Sequence, residues 1–323
     1  ATDKLGPFVV MLGFSTALAL PFGLFAAFPG WLNSLPKSGG WMNLVKVQLG
    51  FLELALALKF LSVADMTMHW GILPYEVFMA SWVLIAAAMA LHFFGILRFP
   101  HDSRDKKLPA YRTVLGGLMV LVTIYLASGF MFDEKTQSYK SPGALSGLAP
   151  PARYNLFLAE LNEDLDPDIK ARYPSYSKSA NNLNCFQVLH VWLAYAREVN
   201  KPILLDFTGY GCVNCRKVEE HIWIDERVYN RIANDYVLIS LYVDDRMPLD
   251  EMLVSKLRNE KLRNVGNKWA DFQIVNFQQN SQPLYVLVSP DEQVLAPPRG
   301  YKEGIREYVD FLDCGLFTFQ NLT

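Results

Sequence analysis

The chain contains 323 residues, has a formal net charge of −2 and is 51% hydrophobic. This length allows two or three structural units, and the near-neutral charge argues against nucleic-acid binding, which needs a basic surface. The average composition hides two unlike halves, because the first 132 residues include long stretches without charged side chains.

Four apolar stretches in the first half predict membrane-spanning helices. They are residues 5–36, 44–64, 77–97 and 113–132. Each is at least as long as the roughly 20 residues that a helix needs to cross a bilayer. The first stretch has no basic leader and is too long for the core of a signal peptide, so we interpret it as a helix.

The second stretch differs from the others because charged side chains interrupt it: Lys46, Glu53 and Lys59. An unpaired carboxylate in mid-span costs about 2.5–3.5 kcal/mol on insertion scales. Glu53 is therefore either a candidate for a functional role, such as transport by the helices, or a partner of Lys46 on the same helix face.

The connections between these stretches differ in charge. The second connection, residues 65–76, has no Lys or Arg. The third connection contains five basic residues: Arg98, Arg104, Lys106, Lys107 and Arg112. By the positive-inside tendency, the first and third connections face the cytoplasm, so both termini and everything after residue 132 lie outside. In a bacterial envelope that space is the periplasm.

Residues 133–180 are rich in Ser, Pro, Gly and Tyr, which predicts a mostly extended tether with a short helix near residues 156–161. A compact domain follows. It is predicted to contain a helix at 186–200, strands at 202–207, 236–243, 284–288 and 293–296, and a closing helix at 303–312. This order of elements is that of thioredoxin.

The predicted fold class is therefore multi-domain. An all-α transmembrane segment of four helices occupies residues 1–132, and a periplasmic linker occupies residues 133–180. An α/β thioredoxin-like domain occupies residues 181–323 and closes the chain.

Cys212 and Cys215 form a CxxC between a buried strand and a predicted helix that starts at residue 212. This position places the first sulfur at the helix N-terminus, where free backbone N–H groups and the helix dipole favour a thiolate. A CxxC in this setting indicates a dithiol redox site. We expect Cys212 to attack a disulfide and Cys215, one turn further on, to resolve the mixed disulfide.

The alternative for a CxxC is half of a zinc site, completed by His221, Cys185 or Cys314. We favour redox chemistry, since no second CxxC and no HxxxH is present. The redox site needs no cofactor beyond its own Cys212–Cys215 disulfide. An oxidising compartment permits a bridge between Cys185 and Cys314, but we expect two free thiols because their elements lie on opposite faces of the predicted sheet.

Two more residues are candidates for the site. Asp206 lies inside the apolar strand before the CxxC; burial would raise its pKa and let it exchange a proton with Cys215. A carboxylate satisfied by nearby backbone or hydroxyl groups is the equal alternative. Pro283 precedes an apolar strand, where proline belongs at an edge or first position and where a cis bond is compatible.

The long polar stretch before Pro283, residues 244–279, either shapes a partner-binding face or, as we favour, is a surface excursion.

Two runs in the second half carry a resemblance to a known family. Residues 206–217, DFTGYGCVNCRK, closely resemble the C-terminal thioredoxin-like domain of the DsbD-type thiol:disulfide interchange proteins, and residues 282–287, QPLYVL, are a second similar stretch. In the membrane half, Leu20-Pro21 followed by LPKSGGWM at residues 35–42 looks like the junction between two late helices of that family's membrane domain. The resemblance covers nearly the whole chain apart from the tether.

The resemblance implies a three-part electron relay. In that family a membrane domain with an intramembrane cysteine pair takes reducing equivalents from cytoplasmic thioredoxin. It passes them to the C-terminal thioredoxin-like domain, and then to an N-terminal periplasmic domain that reduces isomerases and cytochrome c maturation partners. By position, Cys212 and Cys215 resemble the redox pair, Asp206 resembles the buried acid of thioredoxins, and Pro283 resembles their cis-proline.

The chain departs from the family's pattern, since no cysteine precedes Cys185, whereas the family's membrane relay needs two, and no counterpart of the N-terminal periplasmic domain is seen in this sequence. We therefore expect the C-terminal half of such a protein, a protein-disulfide reductase of the bacterial inner membrane, multi-pass, with its C-terminal domain in the periplasm. The expected partners are a membrane electron-relay domain carrying a cysteine pair, periplasmic thioredoxin-like or disulfide-bonded proteins, the lipid bilayer and, indirectly, cytoplasmic thioredoxin.

Overall fold

The fold comes from a computed structural model of the chain. It describes residues 5–27, 40–100, 102, 108–133, 138–140, 142–156, 166–173, 176–186, 189–249, 251–255 and 259–322. A helical part in the first half contacts an α/β domain in the second half, and part of the intervening segment packs between them.

The helical part contains four helices among its described residues: α1 (Leu5–Ala27), α2 (Gly40–Met68), α3 (Tyr75–Phe93) and α4 (Ala110–Ala127). Three helical stretches are long and apolar enough to cross a membrane: Trp41–Met68, Tyr75–Phe93 and Ala110–Phe130. The remaining predicted span, residues 5–36, coincides with α1 and with residues 28–36, which lie outside the described part. Its crossing of the membrane stays a prediction.

Helix α2 is longer than a bilayer requires. Its 29 residues measure about 43 Å at 1.5 Å per residue, against a hydrocarbon core of roughly 30 Å. Its C-terminal end turns into α3 through a loop closed by Asp65, whose buried carboxylate accepts hydrogen bonds of 2.9 Å from the backbone N–H groups of Ile72 and Leu73. We call residues 63–75 the outer hairpin.

Two polar side chains in the helices lie in different surroundings, and one of them, Glu53, is the candidate that the sequence offers. Glu53 is exposed on α2, and among the described residues it forms no ion pair with Lys46 or with any other side chain. His92 is fully buried near the other end of the bundle, with Nδ1 2.9 Å from Gln48 Nε2 and Nε2 3.2 Å from Asp102 Oδ2. Both nitrogens of His92 therefore have partners, which is typical of a structural histidine.

The second half is built on a six-stranded sheet. Its strands are β3 (Tyr176–Lys178), β4 (Asn184–Phe186), β5 (Ile203–Thr208), β6 (Val237–Tyr242), β7 (Leu284–Val288) and β8 (Arg299–Gly300), in the order β3-β4-β6-β5-β7-β8. A separate ribbon joins β1 (Phe132–Asp133) to β2 (Ser138–Tyr139). Central β5 is parallel to β6 and antiparallel to β7, and all six of its residues are buried.

Helices cover both faces of this sheet. They are α5 (Pro167–Arg172), α6 (Leu189–Val199), α7 (Val213–His221), α8 (Glu226–Asp235), α9 (Val265–Phe277) and α10 (Ile305–Gln320). One core cluster joins Leu204 of β5 to side chains of α7, α8 and α10. The other joins Leu205 and Phe207 of β5 to α6 and to Trp269 of α9. The alternation of β5 side chains between the two faces gives the three-layer arrangement of a thioredoxin-like domain.

Some predicted elements differ from the structure. The predicted strand at 293–296 was wrong: Val294 forms only an isolated bridge with Val288, and the sheet edge is β8. A tight turn precedes this bridge, in which the backbone N–H of Glu292, at a φ of 66°, donates to the carbonyl of Ser289 at 2.9 Å. The closing helix, predicted to end at residue 312, continues to Gln320 because its later turns still bury Phe319.

Residues 244–279 are not merely a surface excursion, because they contain α9, which buries Trp269 and Gln273. The predicted tether also contains regular structure, since α5 and β3 lie within residues 133–180 and β3 pairs with β4. Most of the short helix predicted at 156–161 falls outside the described residues.

The two remaining cysteines are free, as expected: Cys185 is buried on β4 and Cys314 is exposed on α10.

Candidate active site

The two cysteines of the CxxC form a disulfide at the start of α7, with their Cα atoms 5.3 Å apart. Cys212 is the N-cap residue, and its sulfur accepts a hydrogen bond of 3.1 Å from the backbone N–H of Cys215. Cys212 is partly exposed, whereas only 1% of Cys215 is exposed. An incoming thiol or disulfide can therefore contact Cys212, whereas Cys215 is shielded from solvent and from a partner by the residues around it.

The loop before Cys212 is held by a residue that the sequence did not single out. The backbone N–H groups of Tyr210 and Gly211 donate to the two carboxylate oxygens of Asp244, each at 2.9 Å. A Cβ on Gly211 would lie 2.9 Å from Cγ1 of Val63 in the outer hairpin. The loop is thus fixed by Asp244 on one side and lies against α2 on the other.

Asp206 lies on β5 with 1% of its surface exposed. Its Oδ2 accepts a hydrogen bond of 3.3 Å from the hydroxyl of Ser240 on β6, and that hydroxyl lies 3.2 Å from the hydroxyl of Ser179. Burial and, after it, the charge of Glu219 raise the pKa of Asp206 to about 8. The hydroxyl partner does not prevent this rise, so the carboxyl is able to exchange protons near neutral pH.

A buried ion pair lies beside this acid. Arg216 is 2% exposed and Glu219 is 5% exposed, and Nη2 of Arg216 is 2.7 Å from Oε1 of Glu219. The same Nη2 donates to the hydroxyl of Thr208 at 3.2 Å. Burial raises the pKa of Glu219, and the charge of Arg216 opposes that rise. The sequence analysis did not predict this ion pair, although Arg216 and Glu219 are spaced i, i+3 on the helix that begins with the CxxC.

Pro283 follows a cis peptide bond after Gln282 and leads directly into β7. Because Leu284 pairs with Phe207, Pro283 lies at the same end of the sheet as Thr208 and the loop that leads to Cys212. The side chain of Gln282 donates to Oε1 of Gln273 on α9 at 3.2 Å. The catalytic or partner-binding role of Pro283 stays a prediction.

The outer hairpin contacts the active-site loop. The ring of Tyr210 stacks on Tyr242 at 4.2 Å between centroids, and the ring of His69 meets Tyr210 edge-on at 5.5 Å. His69 Nε2 lies 3.2 Å from the carboxylate of Asp245. The backbone N–H of Arg246 donates to the carbonyl of Thr67 at 2.9 Å. The CxxC end of the domain is therefore docked on the hairpin.

The linker also reaches the active-site helix. Gly147 has a φ of 75°, and a Cβ at this position would lie 2.8 Å from the Cα of Val213, the residue after Cys212. Only glycine accommodates both the backbone conformation and this approach. Residues 142–156, which we call the strap, thus pack against the start of α7.

The residues proposed for a zinc site do not converge. Cys185 is buried on β4, Cys314 is exposed on α10, and His221 lies at the last position of α7. Among the residues that the structure describes, no group of three or more His, Cys, Asp or Glu side chains is placed to hold a metal ion.

Comparison with known proteins agrees with this geometry. A family described as thioredoxin-like matches residues 187–290, which contain the CxxC, β5 to β7 and α6 to α9. The chain is 26% identical over 279 residues to the thiol:disulfide interchange protein DsbD 1 of Pseudomonas aeruginosa, covering 84% of this chain and 41% of that protein. It is also 26% identical over 237 residues to DsbD of Campylobacter jejuni, covering 73% of this chain and 34% of that protein.

The chain thus spans about two fifths or less of the length of these curated relatives. Among solved structures, a DsbH oxidoreductase aligns at 14% identity with a TM-score of 0.30, over 48% of this chain and 92% of that chain, which is too weak an alignment to support a fold argument. An alignment over 84% of this chain includes part of the helical first half as well as the thioredoxin-like domain. The resemblance to a DsbD-type C-terminal region is confirmed.

Proposed function

We propose that this chain, which carries a DsbD-type C-terminal region, is a membrane-anchored thiol:disulfide oxidoreductase that reduces protein disulfides through Cys212 and Cys215. The observation that carries the proposal is the asymmetry of the pair. Cys212 caps a helix and is partly exposed, whereas Cys215 is 1% exposed, and Asp206, also 1% exposed, lies on the strand that leads into the CxxC loop. This arrangement supplies a nucleophile, a resolving thiol and a proton acceptor.

The reaction starts from the dithiol form. The Cys212 thiolate attacks one sulfur of a partner disulfide; a bond forms between Cys212 and that sulfur, and the other partner sulfur leaves as a thiolate and takes up a proton. Cys215 then loses its proton to Asp206 and attacks the sulfur of Cys212. The partner's second sulfur leaves and is protonated, so two electrons have passed to the partner and the Cys212–Cys215 disulfide has formed.

The disulfide must be reduced again before the next cycle. In this proposal the electrons come from a dithiol in a membrane electron-relay domain, because no cysteine of this chain precedes Cys185. Cytoplasmic thioredoxin supplies that relay indirectly. The electron acceptors are periplasmic thioredoxin-like or disulfide-bonded proteins, including those that serve cytochrome c biogenesis.

The docking of the domain supports the proposed location. The outer hairpin carries no Lys or Arg and contacts Asp245 and Arg246 of the domain, whereas Arg98 and Arg112 of the basic third connection lie at the other ends of α3 and α4. By the positive-inside tendency the hairpin and the domain share the outer side. We therefore place the protein in the bacterial inner membrane with the domain in the periplasm.

The test uses the full chain in detergent and measures insulin reduction with dithiothreitol as electron donor. Cys212→Ser is expected to lower the catalysed rate to the uncatalysed background, because no other exposed thiol caps a helix in the domain. Cys215→Ser is expected to accumulate a mixed disulfide with insulin. Cys314→Ser, which changes an exposed free thiol, serves as the matched control and keeps full activity. Retention of catalysis by Cys212→Ser would show that the proposal is wrong.

A further inference from the structure

Two consecutive strap residues contact the two halves of the molecule. Nη2 of Arg153 donates to the phenol oxygen of Tyr242 on β6. The phenol of Tyr154 donates to Oδ2 of Asp65 at 2.6 Å, and the Tyr154 carbonyl accepts from the backbone N–H of Tyr75 at 2.7 Å. The dipeptide therefore joins the thioredoxin-like domain to the outer hairpin.

Arg153 is connected to the CxxC loop through two stacked tyrosine rings. The ring of Tyr242 stacks on the ring of Tyr210 with an interplanar angle of 18°, and Tyr210 lies two residues before Cys212. The Arg153 guanidinium, the two stacked rings and the edge-on His69 ring of the hairpin follow one another beside the active-site loop. A side chain from outside the domain thus helps to hold the loop that carries the nucleophile.

Arg153 is also a charge partner of the buried acids. Burial lowers the pKa of Arg153, but Tyr242 and Glu219 outweigh this effect and hold the guanidinium pKa above its ordinary value. The charge of Arg153 in turn lowers the pKa of Glu219 and of Asp206, against the effect of their burial. The titratable and charged groups around it are Asp206, Glu219, Arg216, Tyr210, Tyr242 and Cys185.

We infer that Arg153 is a positioning residue of the thiol site, supplied by the strap, whose charge stabilises the Cys212 thiolate while the domain is docked on the outer hairpin. This inference rests on the proposed function. Among the described residues of the domain itself, the cation that acts on Asp206 and Glu219 is Arg216. The guanidinium of Arg153 adds a second positive charge, which favours the form of the site that carries one more negative charge, the thiolate of the reduced state.

In consequence, the equilibrium between the Cys212–Cys215 dithiol and its disulfide depends on whether the domain is docked on the outer hairpin. The docked domain accepts electrons more readily, since its reduced form is stabilised. A domain released from the hairpin loses Arg153 and becomes the stronger reductant toward a partner disulfide. By linkage, reduction of the disulfide strengthens docking by the same factor by which docking favours reduction.

The test compares variants of the full chain in lipid nanodiscs. The first readout is the equilibrium constant with a glutathione redox buffer, and the second is the pH dependence of Cys212 alkylation by iodoacetamide. Arg153→Met is expected to shift the equilibrium toward the disulfide by about 3- to 10-fold and to move the alkylation profile to higher pH. Arg153→Lys keeps the charge and is expected to recover most of both shifts.

Two further variants sharpen the test. Arg172→Met removes an exposed arginine of α5, paired with Glu198 outside the site, and is expected to change neither readout. Tyr154→Phe removes the hydrogen bond to Asp65 while keeping Arg153, and is expected to shift the equilibrium in the same direction as Arg153→Met but less.

Equal values for Arg153→Met and Arg172→Met would overturn the inference, and so would an Arg153→Lys variant that behaves like Arg153→Met. If Arg153→Met does not fold by near-ultraviolet circular dichroism, Tyr242→Phe replaces it, because this change removes the acceptor of Arg153 and keeps the stacked ring. An unchanged alkylation profile in Tyr242→Phe would then count against the inference. All these variants retain Cys212 and Cys215, so their outcome is separate from that of Cys212→Ser.

Discussion

The inner and outer sides of the thiol site are built from different parts of the chain. On the inner side, Cys215, Asp206, Arg216 and Glu219 all belong to the thioredoxin-like domain and are at most 5% exposed. On the outer side, Cys212 lies in a loop that contacts Val63 of the hairpin and a helix start that contacts Gly147 of the strap. The buried residues of the site therefore all come from the domain, while the helical part and the linker contribute the contacts around Cys212.

This difference has an energetic consequence. Buried charges that lose a partner cost several kcal/mol, whereas contacts at a partly exposed rim cost little. Substitutions on the inner side are expected to act on stability and on proton transfer. Substitutions on the outer side are expected to act on access to Cys212 with a smaller loss of stability than those on the inner side.

The largest expected effect is on the inner side. Glu219→Ala leaves Arg216 buried without its ion-pair partner, which is expected to destabilise the domain by about 3–5 kcal/mol. Thermal or urea unfolding of the domain signal measures this loss. Glu198→Ala breaks the exposed pair with Arg172 and is the matched control, for which no resolvable change of the melting temperature is expected. Equal stability of the two variants would remove the distinction between a buried inner side and an exposed rim.

The second effect is a pH dependence that comes from Asp206. Its folded-state pKa of about 8 lies above the ordinary value of 3.8, so the native state holds the proton more tightly than the unfolded state. This contribution to stability is fully present below about pH 4 and is lost as pH rises toward about 8. Asp206→Asn cannot ionise and is expected to flatten this fall.

Unfolding of Asp206→Asn and of the unchanged chain over pH 4 to 9 measures the effect. Asp225→Asn is the control: the hydrogen bond to Arg227 lowers the pKa of Asp225, so its contribution to stability is lost only below about pH 4, and this variant is expected to keep the fall of the unchanged chain over this range. If the stability of Asp206→Asn fell with pH as steeply as that of the unchanged chain, Asp206 would not be the group that titrates.

The smallest effect is on the outer side. Gly147→Ala places a Cβ 2.8 Å from the Cα of Val213 at a φ of 75°, so the strap must move away from α7. Alkylation of the reduced chain at Cys212 is expected to become about 2- to 5-fold faster, and the local backbone strain costs about 1–2 kcal/mol. Gly117→Ala on α4, where a Cβ meets nothing within 4 Å, is the matched control. Identical alkylation rates in both variants would mean that the strap does not limit access.

Much of the inner side was predictable because its signals are local. A CxxC after an apolar strand indicates a helix N-cap thiol, and an acid within that strand indicates a buried carboxyl. The structure confirms that Asp206 is buried and that Cys212 caps α7. The Arg216–Glu219 pair carried a weaker local signal and was missed, since charged residues at helical spacing are ordinarily a solvated face.

The outer side was not predictable from local pattern. Asp244 follows the sixth strand by two residues and Arg153 lies in a stretch rich in Pro and Gly, and neither position suggests contact with the CxxC loop. The error at residues 244–279 has a similar cause. Polar side chains outnumber apolar ones along much of that stretch, yet one buried face of α9, with Gly266, Trp269 and Gln273, suffices to make it part of the core.

The order of residues by itself determined the dithiol chemistry, the membrane character of the first half and the thioredoxin-like order of the second, because each depends on neighbours within one strand, one helix or one turn. Only the tertiary structure decided which charges surround the thiols and what covers them. Arg153, His69 and Asp244 are 59, 143 and 32 residues from Cys212 in the chain. Contacts over such separations form when hydrophobic packing brings the units together, and periodicity along the chain does not encode them.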